Sequence, residues 1–340
     1  MKIFEKINKK LFGFILLFVL IIIGLVVLLF NLKTNNIGHM EKIPFEGDYS
    51  NIAILDKEIY LLKSNNLKSY DEIGKEKISV NVPVENGHLV GNNNTLVIYE
   101  NKNLYILNSD GKIEESIKMK FEIANIEVKD KTIYVSGEKE LVLIDLKGKQ
   151  IDSIKTNSAI TTSTMSENQK ELIVTTIDLI DNVYKSNLYL KDLKNDTKIN
   201  QSFVGEVIMF SEYIDKDRYL IISNKQAIIL NDFEIQSKRR ISDFKGAGVL
   251  KSNIYILEGD SLNIYDFDFK LINSIQLKGD YNNLFVSDNR VFLLSKNNYS
   301  EYIRGKADTV ISVPDIEKII KTENGLYLIH KDSVTNVDRQ

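Results

Sequence analysis

The stretch NIEVKDKTIYVSGEKELVLIDLKGKQIDSIK, residues 125–155, decides how the rest of the chain is read. Four runs of strand length, 125–128, 132–135, 141–146 and 151–154, are rich in Ile, Val, Leu and Tyr. Between them stand Lys129-Asp130-Lys131, Ser136-Gly137-Glu138 and Lys147-Gly148-Lys149. These types reverse a chain, because glycine takes positive φ and short polar side chains bond the turn backbone. The stretch predicts a four-stranded antiparallel meander.

Its second run recurs along the sequence, anchored at Tyr60, Val97, Tyr134, Ile173, Leu220, Tyr255, Phe292 and Tyr327. The intervals are 37, 37, 39, 47, 35, 37 and 35 residues, which makes eight units of nearly constant length. A meander cannot cover both of its faces alone, so units of this size are expected to stack radially. Runs such as 141–144 and 227–230 are apolar without alternation, as strands covered on both faces are. The expected fold is an all-β, eight-bladed β-propeller of four-stranded antiparallel sheets. A β-solenoid is the alternative, but its repeats are normally shorter. Helical periodicity is missing after residue 30, which argues against a parallel α/β sheet.

The last unit has room for only three strands, 316–320, 326–329 and 333–337, while 41–45 is an unassigned extended segment. That early segment is expected to pair as the outer strand of the final sheet and hide its edge. Pro44 suits such an edge, where a missing amide donor does little harm.

Residues 11–30 contain no charge, and twenty helical residues span roughly 30 Å, the thickness of a bilayer core. Lys2, Lys6, Lys9 and Lys10 precede the run, whereas Lys33 and Lys42 follow it mixed with Glu41 and Glu46, so the amino terminus is expected in the cytoplasm. The domain reading is a cytoplasmic tail at 1–10, a single-pass transmembrane helix at 11–32, a tether at 33–40 and an extracytoplasmic propeller at 41–340. A cleaved signal peptide is the rival, but its apolar region is usually shorter and ends at small residues, where here Asn31, Leu32, Lys33 and Thr34 stand.

Composition narrows the function classes. With 43% hydrophobic residues and 3 prolines in 340 positions, a collagen-like or wholly disordered chain is excluded. The absence of cysteine excludes disulfides, thiolate metal sites and cysteine nucleophiles. Five of the 44 basic and one of the 47 acidic residues lie at or before Lys33, so the remainder carries a net charge of −7 and repels polyanions. Nucleic acid is not an expected partner.

A second recurring element is a turn: Tyr70-Asp71-Glu72-Ile73-Gly74-Lys75, then 107–112 and 144–149, each an apolar residue, Asp or Asn, two residues, Gly, Lys. It resembles the turns of WD-repeat-like and quinoprotein-like propellers, with weaker versions at Tyr265-Asp266 and Leu230-Asn231. The whole chain is similar to membrane-anchored propeller proteins of clostridia and related Firmicutes, and its richness in Lys, Asn and Ile agrees. The shared motifs are structural. The sequence has no tryptophan, so the docking tryptophan of quinoprotein repeats and the WD dipeptide are both missing and the resemblance implies no quinone or other cofactor.

Residues that carry chemistry are sparse. His39, His88 and His330 are the three histidines, and no HExxH, GxSxG or sialidase Asp-box occurs. Asn108-Ser109-Asp110-Gly111 lacks the alternating acids of a calcium loop and reads as a turn. Lys238-Arg239-Arg240 reads as solvated charge on a hairpin rim. The chain is therefore not read as an enzyme.

The best irregularity is the interval of 47 residues, where 177–186 lengthens the middle hairpin of the fourth unit. Ile180, Val183 and Tyr184 there are candidate partner anchors, since loops on rigid scaffolds often carry recognition. The alternative is two longer strands packed on a neighbour. Tyr299, Tyr302 and Arg304, in 297–304, are a second candidate group, of residue types common at interfaces. Three functions follow as expectations: a non-catalytic protein-interaction scaffold bound to another envelope protein, a small-ligand or glycan sensor or enzyme with its site in the central channel, and a mechanical spacer.

Overall fold

The computed structural model describes residues 39–44 and 51–338, apart from 93–94, 130, 167–169, 195–197, 216, 232–233, 288–289, 304–305, 308–310, 314, 323–324 and 331–332. The apolar run 11–30 and its flanks lie outside the described residues. Among the described residues, no helix is long and apolar enough to cross a membrane.

Eight antiparallel sheets follow one another along the chain. We number them blades 1 to 8: residues 52–81, 88–118, 125–155, 159–204, 208–240, 244–276, 283–312 and 318–338. First strands of successive blades, such as Phe244–Leu250 and Asn283–Ser287, touch each other, so they ring the axis and the fourth strands lie outermost. Blade 7 departs from four strands: Asn298–Ile303 pairs with both Lys306–Ala307 and Ile311–Ser312, a split outer strand.

Blade 8 takes its outer strand from the start of the propeller. His39–Pro44 pairs antiparallel with Ser333–Asp338, from His39 opposite Asp338 to Pro44 opposite Ser333, and Pro44 stands on the ring's outer edge. Ile43 is buried among Ile52, Ile59, Tyr327 and Val334, so this strand ties the last blade to the first. The strand begins at His39, inside the stretch 33–40 expected as a tether.

The apolar core is divided into eight layers, one at each seam between blades. Alternate residues of each second strand point to opposite neighbours. Tyr60 and Leu62 meet Leu96 and Ile98 between blades 1 and 2, whereas Ile59 and Leu61 meet Tyr327 and Ile329 between blades 8 and 1. The eight anchors of the sequence repeat all lie buried in these layers.

The recurring turn is built by its Asp or Asn. Asp71 Oδ1 accepts the amides of Ile73 and Lys75 at 3.1 and 2.9 Å, and Asp145 repeats the pattern with Lys147 and Lys149 at 3.0 and 2.8 Å. Gly74, Gly111 and Gly148 supply the positive φ. In blade 6, Asp266 makes the same two bonds, to Asp268 and Lys270, but Phe269 occupies the left-handed position at φ 57°. Its ring packs edge-on against Tyr265 at 6.3 Å, which offsets the backbone cost.

Because strands alternate in direction, the propeller has two distinct faces. Turns between second and third strands, and the loops joining blades, open on one face, here called upper. Turns joining first to second and third to fourth strands open on the lower face. Asp338 ends a third strand, so His39 opposite it enters from the lower face.

Candidate functional site

The longest hairpin of the molecule stands on the upper face. In blade 4 the second and third strands, Glu171–Ile180 and Val183–Asp192, each have 10 residues, against five or six in the other blades. Asp181 and Asn182 take φ 49° and 61°, a two-residue turn whose twist matches that of paired strands. The first strand, Ala159–Met165, reaches only Ile177, and the outer strand, Lys198–Val204, reaches only Lys185. The pairs Leu179 with Tyr184 and Ile180 with Val183 therefore project beyond the sheet. The base is pinned: Asp178 accepts the Leu179 amide at 2.9 Å and the Ser158 hydroxyl at 3.3 Å, and the Tyr184 carbonyl accepts the Gly205 amide at 2.7 Å.

The projecting tip is apolar and exposed. Leu179 is 56% exposed, Ile180 47%, Val183 43% and Tyr184 53%. Val204, opposite Lys185 at the foot of the hairpin, and Met209, at the start of blade 5, are exposed as well. The sequence reading named Ile180, Val183 and Tyr184 as anchors and missed Leu179, Val204 and Met209. Val204 and Met209 lie 20 or more positions past the turn, and only the strand register brings Val204 opposite Lys185.

The second candidate group is corrected. Tyr299 has no exposed surface and lies with Phe292, Val313, Ile316 and Leu326 in the layer between blades 7 and 8. Tyr302 is half-buried and meets Tyr255 edge-on at 5.7 Å between blades 6 and 7. Both belong to a third strand, which its own blade and the adjacent blades cover. Arg304 lies outside the described residues.

The other singled-out residues are structural. His330 is buried, with Nε2 2.9 Å from Thr335 Oγ1, and His88 stacks on Tyr99 at 5.0 Å in blade 2. Asn108 Oδ1 accepts the amides of Asp110 and Lys112, both at 3.0 Å, so the turn consumes the oxygen a cation would need. Among the described residues, no group of three or more His, Asp or Glu is placed to hold a metal ion. The Lys238-Arg239-Arg240 cluster lies in the outer strand Glu234–Arg240 instead of on a hairpin rim. Arg239 bonds Glu258 of blade 6 at 2.8 Å and covers the Tyr265 ring at 4.2 Å. Burial pushes the Tyr265 phenol up to about 12, with Glu258 adding to the effect and Arg239 opposing it.

Two clefts open at seams where neighbouring first strands stand apart. One, of about 450 Å³, lies between blades 7 and 8 and is lined by Asn282, Asn283, Phe285, Lys296 and Glu317 among others. The other, of about 440 Å³, lies between blades 3 and 4 and is lined by Glu127, Lys129 and the hydroxyl-bearing residues 161–164. Four blades separate the two, so they sit on opposite sides of the ring.

Solved structures of similar fold are propellers with little sequence in common. Sqt1 of Saccharomyces cerevisiae aligns with a TM-score of 0.64 at 10% identity, over 89% of this chain and 98% of its own. Hsv2 of Kluyveromyces lactis aligns with a TM-score of 0.52 at 9% identity, over 79% and 100%. A chain in a mitotic checkpoint complex gives 0.52 at 9% identity, over 90% and 92%. At such identities the likeness shows the fold alone. No curated protein matches the chain in sequence. A family model does match, across residues 84–338, blades 2 to 8 nearly entire, and the chain accordingly belongs to DUF5711, described as a family of unknown function.

Proposed function

We propose that this protein is a membrane-anchored, extracytoplasmic scaffold that holds another envelope protein on the upper face of its propeller, without catalysis. The observation that carries the reading is the blade 4 tip, where Leu179, Ile180, Val183 and Tyr184 project apolar surface past a rigid sheet. An exposed apolar cluster is a standing aggregation hazard, and a protein partner that covers it removes the hazard. A Tyr flanked by aliphatic side chains is the composition of an interface anchor.

The strand register supports the geometry of this reading. His39 enters at the lower face, within ten residues of the apolar run that ends at Phe30, so an anchor there holds the lower face toward the bilayer. The hairpin stands on the opposite face, turned away from the lipid. A protein of the same general fold in a mitotic checkpoint complex provides a precedent for a propeller in an assembly.

The test replaces 178–185 with Asn-Gly, so that the Ile177–Ser186 pair closes on a two-residue turn. Crosslinking in the intact envelope is expected to capture a discrete partner with the native protein and to lose it with the replacement. Equal capture by both rejects the hairpin as the contact.

A further inference from the structure

We infer that the cleft between blades 3 and 4 is a binding site for a neutral polyhydroxylated ligand, a sugar of one or two rings, reached from the central channel. The first strand of blade 4, Ala159–Met165, carries Thr161, Thr162, Ser163 and Thr164 in succession, whereas the first strand of blade 1, Ile52–Leu55, is apolar and buried throughout.

A register shift at Thr161 shapes the wall. Ile160 pairs with Thr176 and Thr162 with Thr175, so Thr161 is an extra residue and the strand bulges there. Bulges re-aim side chains. Thr161 and Thr162 consequently both reach Thr175, with hydroxyl separations of 2.8 and 2.6 Å, and Thr162 continues to Ser211 of blade 5 at 3.1 Å. Such a relay can turn its hydrogens either way, so it offers donors or acceptors as a ligand hydroxyl requires. Thr161 is exposed, and Thr162 and Ser211 are partly so.

The facing wall sets the charge preference. Lys129 of blade 3 lies 2.9 Å from Glu127, 3.5 Å from the Ser163 carbonyl and 5.5 Å from the centre of the Tyr134 ring. The ammonium is thus already neutralised, so an anion gains no unpaired charge and a cation meets the lysine. Both groups can still bond a hydroxyl, and charge-assisted bonds are the stronger kind. The walls expose more polar than apolar surface, which disfavours a hydrophobic ligand. A volume near 440 Å³ falls at the lower end of small-ligand sites.

The site is independent of the hairpin, so a failure here leaves the scaffold reading standing. The test uses the full chain in a detergent without a sugar headgroup, with glucose, N-acetylglucosamine and cellobiose as neutral probes and glucuronate and glucosamine as charged ones. Saturation-transfer NMR is expected to show saturable binding of at least one neutral probe at about 10 mM or below. The double variant Thr161→Val with Ser211→Ala is expected to weaken it about tenfold while the unfolding midpoint stays put. Glu127→Gln leaves Lys129 uncompensated and is expected to raise glucuronate above the neutral probes. No binding of any neutral probe, a native preference for a charged one, or undiminished affinity in the double variant with the midpoint held would overturn the assignment. If that variant lowers the midpoint, the Glu127→Gln switch decides: its absence overturns the assignment.

Discussion

The seam between blades 6 and 7 and the seam between blades 3 and 4 join sheets of the same design and end up unlike. At the first, Gly246 and Gly248 face the next blade, and a Cβ on either would stand 2.7 Å from the Leu284 amide nitrogen or 2.5 Å from Val286 Cγ2. Backbone meets backbone there, over an apolar layer of nine buried residues. At the second, threonines occupy the facing strand, the apolar layer has six buried residues, and the inner strands part to leave the cleft. That seam is held farther out, where buried Lys191 of blade 4 pairs with Asp152 and bonds the Ser153 carbonyl at 3.2 Å in blade 3. Equal blades thus do not make equal seams: the side chains on the inner strands set the spacing, and function is free to use the wider gaps.

The sharpest way to break this comparison is Gly246→Ala. The added methyl meets a backbone nitrogen that cannot rotate away, so a loss of about 3 kcal/mol is expected in denaturant unfolding, the top of the overpacking range. Thr161→Val, at the open seam, is expected to cost under about 1 kcal/mol. Similar losses at the two sites would show that the seams are equally packed. Lys191→Met comes next, at about 1–2 kcal/mol, because it strands Asp152 at the seam's outer clamp. Adding Asp152→Asn should recover part of that loss, and strict additivity would remove the clamp from the account. The hairpin replacement is expected to cost about 1 kcal/mol, since its tip buries little and the loss is confined to the bonds that Asp178 and Tyr184 make at its base.

Strand rhythm and turn chemistry were legible in the sequence because both are local. Recurring apolar runs and the Asp-turn spacing located the blades, and the turn was recognisable at Asp266 although Phe269 replaces its glycine. The short final unit pointed to a borrowed strand, and 39–44 is the strand that lies there. Seam geometry is a property of two blades 35 or more residues apart, and no single stretch announces it. Gly246-Ala247-Gly248 and the threonine run did carry the signal, as small residues against polar branched ones on inner strands, yet reading it requires knowing which strands face each other. Tyr299 misled for a related reason: residue type suggested a surface anchor, whereas burial depends on the neighbouring blade. The blade 4 tip was visible as a length anomaly, but Val204 joins it only through register.

The account's central claim is that the propeller stands outside the cytoplasm with the blade 4 hairpin free to meet a partner. The chain contains no cysteine, so one introduced thiol reports without background. Asp181→Cys at the hairpin turn, treated with a membrane-impermeant maleimide, is expected to label in right-side-out membrane vesicles and to stay protected in inverted ones until detergent is added. Labelling in inverted vesicles, with protection in right-side-out ones, would contradict the account.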